Sequence, residues 1–221
     1  MTTHPENSLP AFQEAIRVGL QMIEFDVQMS KDSALVFMLD GAVDRTTNGT
    51  GKVAALTLAE IRELDAGSWQ GEAFAGTRVP ILEEVLEIMP RNIWLNIHIK
   101  GGWEVVRQVA ALILASERIH QAVLAEEEEA CLGAKEVDAG MLICNMERQS
   151  RQWDYVESTI AMKADFIQRR GDITSDFEAY AQILHKVGIK INYFGTDDPV
   201  QIQNLWEMGI DFYWSMKSSQ Q

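Results

Sequence analysis

The stretch Met22-Ile23-Glu24-Phe25-Asp26-Val27-Gln28 alternates by twos. In an extended chain Ile23, Phe25 and Val27 share one face, while Glu24 and Asp26 share the other. A second stretch, Asn92-Ile93-Trp94-Leu95-Asn96-Ile97-His98-Ile99-Lys100, places Asn96, His98 and Lys100 on one face by the same rule. Strands of a parallel sheet normally read as unbroken apolar runs, so an inward His and Lys mark a departure from simple packing. Two carboxylates converging near the C-terminal end of a barrel strand attract a hard divalent cation. His98 offers a ring nitrogen that can ligate or shuttle a proton, and Lys100 a charge for an anionic group. The plainer readings are an exposed edge for Glu24 and Asp26 and a hydrogen-bonded core residue for His98.

Outward from these two stretches, short apolar runs alternate with longer amphipathic ones, the βαβ rhythm of an α/β protein. Strands are expected at Met22 to Gln28, Ile93 to Lys100, Ala122 to Ala125, Met141 to Asn145, Asp165 to Gln168, Lys190 to Phe194 and Asp211 to Trp214. Helices are expected at Ser8 to Val18, Ile81 to Met89, Trp103 to Ser116, Glu126 to Glu136, Arg151 to Met162, Asp176 to Lys186 and Pro199 to Met208, with Gly19, Gly188 and Gly209 closing three of them. Seven such pairs predict a TIM (β/α)₈-type barrel one strand short, because the first helix starts almost at Met1 and no strand precedes it. Residues 1–221 read as a single domain with an insertion at about residues 30–80, which opens with a hairpin and continues loop-rich.

The 221 residues carry 33 acidic and 19 basic side chains, a formal charge of −14, with 47% hydrophobic content. That field repels phosphate backbones and anionic membrane surfaces, so no nucleic acid is expected as a partner. A chain of this size closes its core without disulfides. The two cysteines, Cys131 and Cys144, read as reduced, packed thiols. No window approaches 18 consecutive apolar residues, so no transmembrane segment is expected. A soluble protein, cytoplasmic or periplasmic, is the expectation.

The segments Pro5-Glu6-Asn7-Ser8-Leu9, Ile23 to Val27, Ser30-Lys31-Asp32, Leu39-Asp40, Asp44-Arg45-Thr46-Thr47-Asn48-Gly49-Thr50-Gly51, Leu64-Asp65-Ala66-Gly67 and Val79-Pro80-Ile81-Leu82-Glu83 follow one another in an order and spacing that resemble the glycerophosphodiester phosphodiesterase family. The likeness covers about residues 5 to 100, and the strand–helix rhythm follows it to the end. It implies a TIM barrel with a small insertion after the second barrel strand. It also implies metal-dependent hydrolysis of a phosphoric diester, a glycerophosphodiester, to an alcohol and glycerol phosphate in lipid metabolism.

Carried over residue by residue, the resemblance makes Glu24 and Asp26 metal ligands, with His98 standing where the family has a third carboxylate. Lys100 keeps the place beside the phosphate, and Arg45 is a second candidate for substrate binding. His98 and Lys100 are then the candidate catalytic residues, and the cofactor is a divalent cation, Mg²⁺, Ca²⁺ or Mn²⁺. The family's two catalytic histidines are not matched: the sequence contains no His-Arg-Gly, and Leu39-Asp40 stands where the family has His-Asp. A divergent member with a degenerate, impaired active site is the first expectation, and a barrel that binds a phosphorylated ligand or a protein partner without turnover the second. Unpaired strand edges beside the absent strand add an expectation of self-association, as a homo-oligomer or as an aggregate.

Overall fold

Seven parallel strands lie side by side in chain order: β1 (Met22–Met29), β3 (Trp94–Lys100), β4 (Ala122–Glu126), β5 (Leu142–Asn145), β6 (Phe166–Arg170), β7 (Lys190–Phe194) and β8 (Phe212–Trp214). A short strand, β2 (Leu35–Phe37), adds antiparallel to the outer edge of β1. The helices are α1 (Leu9–Arg17), α2 (Leu58–Arg62), α3 (Leu82–Ile88), α4 (Gly102–Ala115), α5 (Glu128–Val137), α6 (Gln152–Ala161), α7 (Phe177–Lys186) and α8 (Pro199–Glu207). This structure, a computed structural model, describes residues 3–126, 128–146, 152–170, 176–196 and 198–214. All seven expected strands and seven expected helices form, with ends shifted by one or two residues. Ser8 and Asp198 cap α1 and α8 with their side chains, and Gly19, Gly188 and Gly209 take positive φ values of 79°, 83° and 105° where three helices stop.

The sheet curls into a barrel. β3 and β8 stand five strand spacings apart, about 24 Å in a flat sheet, yet the rings of Trp94 and Phe212 are 6.1 Å apart. Phe166 joins them from β6, and the Lys190 ammonium lies 5.7–5.9 Å from all three rings. These four residues begin their strands, so they plug the N-terminal end of the barrel and leave the C-terminal end for chemistry. Among the described residues no strand pairs with the free edge of β8 or with the Met22–Glu24 part of the β1 edge. The barrel is open there, as the count of seven strands predicts.

The outward face of β1 is what fixes the neighbourhood of the site. Phe25 stacks against Phe12 of α1 at 5.6 Å and Phe37 of β2 at 4.9 Å, and Phe12 meets Phe37 at 5.5 Å. All three rings are buried. Helix, strand and hairpin are thereby locked together, and the turn before α1 is carried up against β1.

The insertion has a core of its own, formed by Val36, Met38, Val43, Val53, Ile61, Ala66 and Val79. The sequence pattern predicts a loop-rich stretch after the hairpin, whereas α2 forms there. Thr57 and Glu60 make a capping box that supplies a five-residue helix with the partners its first turn needs. Asp65 organises the rest: its carboxylate accepts from the Gly67, Ser68 and Gly76 amides and from the Ser68 hydroxyl at 2.6–2.9 Å. Gly67 has no room for a side chain, since a Cβ there would lie 1.9 Å from the Phe74 carbonyl oxygen.

Removing the ring that joins α1 to the hairpin, by Phe12→Ala, should destabilise the protein by about 3–5 kcal/mol in denaturant unfolding. A second expectation concerns acid. Hydrogen bonds from Ser68, Gly76 and Gly67 hold the Asp65 carboxyl well below the usual carboxylate range. A depressed folded-state pKa contributes stability above the unfolded value, near 4, and that contribution fades as pH falls below it. Asp65→Asn should therefore lower the melting temperature at pH 7 and flatten its decline below about pH 4.

Candidate active site

Glu24, Asp26 and Gln28 of β1 and Asn96, His98 and Lys100 of β3 face the barrel interior, paired in register as Glu24 with Asn96, Asp26 with His98 and Gln28 with Lys100. The two strands deliver the expected cluster. His98 Nδ1 lies 3.2 Å from Asp26 Oδ1 and 3.7 Å from Glu24 Oε1, and Lys100 Nζ lies 3.3 Å from Asp26 Oδ1 and 3.2 Å from His98 Nε2. One potential ligand atom from each of Glu24, Asp26 and His98 falls within 4.8 Å of the others. Asp26 Oδ1 is buried and accepts no aligned hydrogen bond, so an acceptor is left turned toward the cluster. Two carboxylates and an imidazole around such an atom suit a divalent cation.

The electrostatics drive the two carboxyls apart. Burial, with the Asp26 charge beside it, lifts Glu24 above the ordinary carboxyl value against the pull of His98 and Lys100. Burial would lift Asp26 as well, but His98, Lys100 and Asn7 outweigh it and hold the Asp26 carboxyl below that value. For His98, burial opposes the proton while the neighbouring carboxylates favour it, and the balance is upward. Lys100 pushes the other way.

Two residues that the sequence reading gave no role complete the site. Asn7, at a φ of 51°, donates from Nδ2 to Asp26 Oδ2 and accepts from the Asp26 amide, both at 3.1 Å. It stands where a neighbouring strand would otherwise bond β1, and it orients the carboxylate. Gln28 donates through Nε2 to the carbonyls of Met38 and Asp40 at 2.8 and 2.5 Å. Leu39 is thus held at the barrel mouth, 41% exposed. The clue to Gln28 was its inward register with Glu24 and Asp26, whereas Asn7 lies outside any strand and left no periodic signal.

Arg45 sits apart from the cluster's contacts. Its guanidinium is gripped by Glu6 at 2.5 and 3.0 Å and by Asp40 at 2.5 Å, and this raises its pKa further. The clamp ties the turn before α1 to the loop after β2. The other histidines are elsewhere: His4 stacks on Phe74 at 5.1 Å, His120 lies 3.2 Å from the Arg91 carbonyl, and His185 lies 2.8 Å from Asp211. Cys131 and Cys144 are buried free thiols. Burial pushes Cys131 up to about 12 and Cys144 well above its usual value, so neither is a ready thiolate. Among the aromatic residues, Tyr193 is core and Trp69 is exposed, and the side chain of Trp214 lies outside the described residues.

Known proteins resemble this chain in sequence and in fold. The family model of the glycerophosphoryl diester phosphodiesterase family matches residues 1–125. A glycerophosphodiester phosphodiesterase of Caldanaerobacter subterraneus subsp. tengcongensis is 50% identical over 99 residues, which are 44% of this chain and 41% of that one. The chain spans about two fifths of the length of the curated relatives it matches. The fold continues beyond that stretch. A crystal structure of glycerophosphodiester phosphodiesterase from Agrobacterium tumefaciens aligns with a TM-score of 0.82 at 24% identity, covering 97% of this chain and 91% of that one. A phosphodiesterase from Oleispira antarctica, in complex with the product sn-glycerol-3-phosphate, aligns at 0.79 and 22% identity, covering 96% and 88%. The matched model takes in the site strands and the whole insertion, more than half of the sequence, and the chain belongs to the glycerophosphoryl diester phosphodiesterase family.

Proposed function

We propose that this chain is a metal-dependent phosphoric diester hydrolase for glycerophosphodiesters, acting as one barrel domain with low turnover. The observation that carries the reading is the convergence of Glu24, Asp26, His98 and Lys100 at the C-terminal mouth of the barrel in a chain of this family. Glu24, Asp26 and His98 would hold the cation, which when bound polarises a phosphate oxygen and offsets its charge. Mg²⁺, Ca²⁺ and Mn²⁺ are the cations that the family resemblance suggests. Lys100, its side chain 28% exposed, would steady the phosphate, and the product held by the Oleispira enzyme supports glycerol phosphate as the released half.

Proton transfer is the weak part. Leu39 stands at the mouth where an imidazole would protonate or activate an oxygen, and a leucine does neither. Arg45 reaches a phosphate only by giving up Glu6 or Asp40. These two features favour the second reading, a barrel that binds a phosphorylated ligand without consuming it. No helix among the described residues is long and apolar enough to cross a membrane.

Assay of glycerophosphocholine hydrolysis with each cation, and with EDTA, separates the two readings. The unmodified chain should turn over near background. Leu39→His combined with an N-terminal extension carrying a strand that ends in His-Arg-Gly should raise the rate by orders of magnitude, since each acid or base contributes about 10²- to 10⁴-fold. Rapid metal-dependent turnover by the unmodified chain would refute the impairment, and His98→Ala would then test His98 as the replacement acid or base. Ligand binding without turnover in both forms would favour the second reading.

Asn7→Ala, which removes both bonds orienting Asp26, should weaken divalent-cation binding about tenfold in calorimetry. The site should otherwise remain folded.

A further inference from the structure

Resting on the reading that this site binds a divalent cation, we propose that it selects a borderline ion of the cobalt–zinc class through His98 Nδ1, and that the ion displaces Lys100 from the ring. The first half follows from the donors. Ca²⁺ takes six to eight oxygen ligands and Mg²⁺ a near-ideal octahedron of oxygens, whereas imidazole nitrogen suits Zn²⁺, Co²⁺ and their neighbours. With His98 in the set, Glu24 and Asp26 are the carboxylates that the described residues bring to the cluster, so an oxygen-seeking ion has less negative charge to meet among them than among three carboxylates.

The second half follows from the hydrogen bond between Lys100 and His98. An ammonium has three donors and no acceptor, so the 3.2 Å contact from Lys100 Nζ is a bond only if His98 Nε2 accepts. The ring is then neutral with its proton on Nδ1, the nitrogen that faces Asp26 and Glu24. A cation can use Nδ1 only when that proton has left it. The neutral ring then carries its proton on Nε2, and Lys100 no longer has an acceptor there. Lys100 also contacts Asp26 Oδ1, the buried oxygen that accepts no aligned hydrogen bond. Cation and lysine therefore compete for the same two groups. Loading the cation turns the ammonium toward the mouth, where an anionic substrate group would meet it.

Metal binding in the absence of any substrate tests this, by calorimetry for Co²⁺, Zn²⁺, Ca²⁺ and Mg²⁺ and by the visible d–d absorption of bound Co²⁺. The chain should bind Co²⁺ in preference to Ca²⁺. His98→Glu should reduce the ratio of the two affinities by at least about tenfold and change the Co²⁺ spectrum. Lys100→Met should tighten Co²⁺ binding about tenfold, because the competing cation is gone. His98→Gln, close in size and without a ring nitrogen, should lose the preference while retaining the wild-type circular dichroism. An unchanged Co²⁺ to Ca²⁺ ratio in His98→Glu would overturn the ligand assignment. Unchanged or weaker Co²⁺ binding in Lys100→Met would overturn the competition. Because no turnover is measured, a failure of phosphodiester hydrolysis bears on the proposed function and leaves this result standing.

Discussion

The structure around the site depends on keeping a carboxylate charged while it is almost wholly buried. Asp26 is 5% exposed, and an ionised carboxyl in that position is tolerable only with partners close by. Three elements meet at this residue: Asn7 from the turn before α1 and His98 and Lys100 from β3 contact the carboxylate, and the Met38 amide from the hairpin bonds the Asp26 backbone carbonyl at 3.2 Å. Each partner also joins its element to β1. The open edge of the barrel, the hairpin and the first helix are consequently organised around one side chain, and the electrostatics of the site are inseparable from local stability.

The barrel interior is graded from apolar to polar. Trp94, Phe166 and Phe212 plug its base around Lys190, and Val123, Ala125, Cys144 and Met146 extend the apolar layer. Two residues further along β3, β6 and β7 the inward positions carry Asn96, Gln168 and Asn192, all buried, with amide atoms that accept or donate no hydrogen bond among the described residues. Buried amides in this state call for ordered water or a polar ligand. This grading gives the cluster of Glu24, Asp26 and His98 a polar floor and keeps the aromatic packing away from the carboxylates.

Much of this was legible in the sequence because it is periodic. The alternation in Met22 to Gln28 and Ile93 to Lys100 gave both strands, their inward faces and the four residues of the cluster. The seven strand–helix pairs gave the barrel and its open side. What escaped was local or long-range without a period. The helix α2 is five residues long and rests on the Thr57–Glu60 capping box, a signal present in the sequence but shorter than any hydrophobic repeat. The clamp on Arg45 left no trace either, because nothing in a linear sequence shows that Glu6, 39 positions earlier, folds back onto it. The plug of Trp94, Phe166, Lys190 and Phe212 joins four strands that are each unremarkable alone.

The division between strand and loop also sets which positions around the site can vary without disturbing the fold. Glu24, Asp26 and His98 lie between core residues: Phe25 and Ile97 are fully buried neighbours, so backbone shifts at these positions disturb packing. Position 39 is different. Leu39 is exposed on a segment held by its backbone, through the bonds from Gln28 to the carbonyls on either side. A change of side chain there leaves those bonds and the aromatic cluster beneath them intact. The cluster of Glu24, Asp26 and His98 and the lysine beside it are thus wired into the barrel, whereas the side chain at position 39 can change at little structural cost.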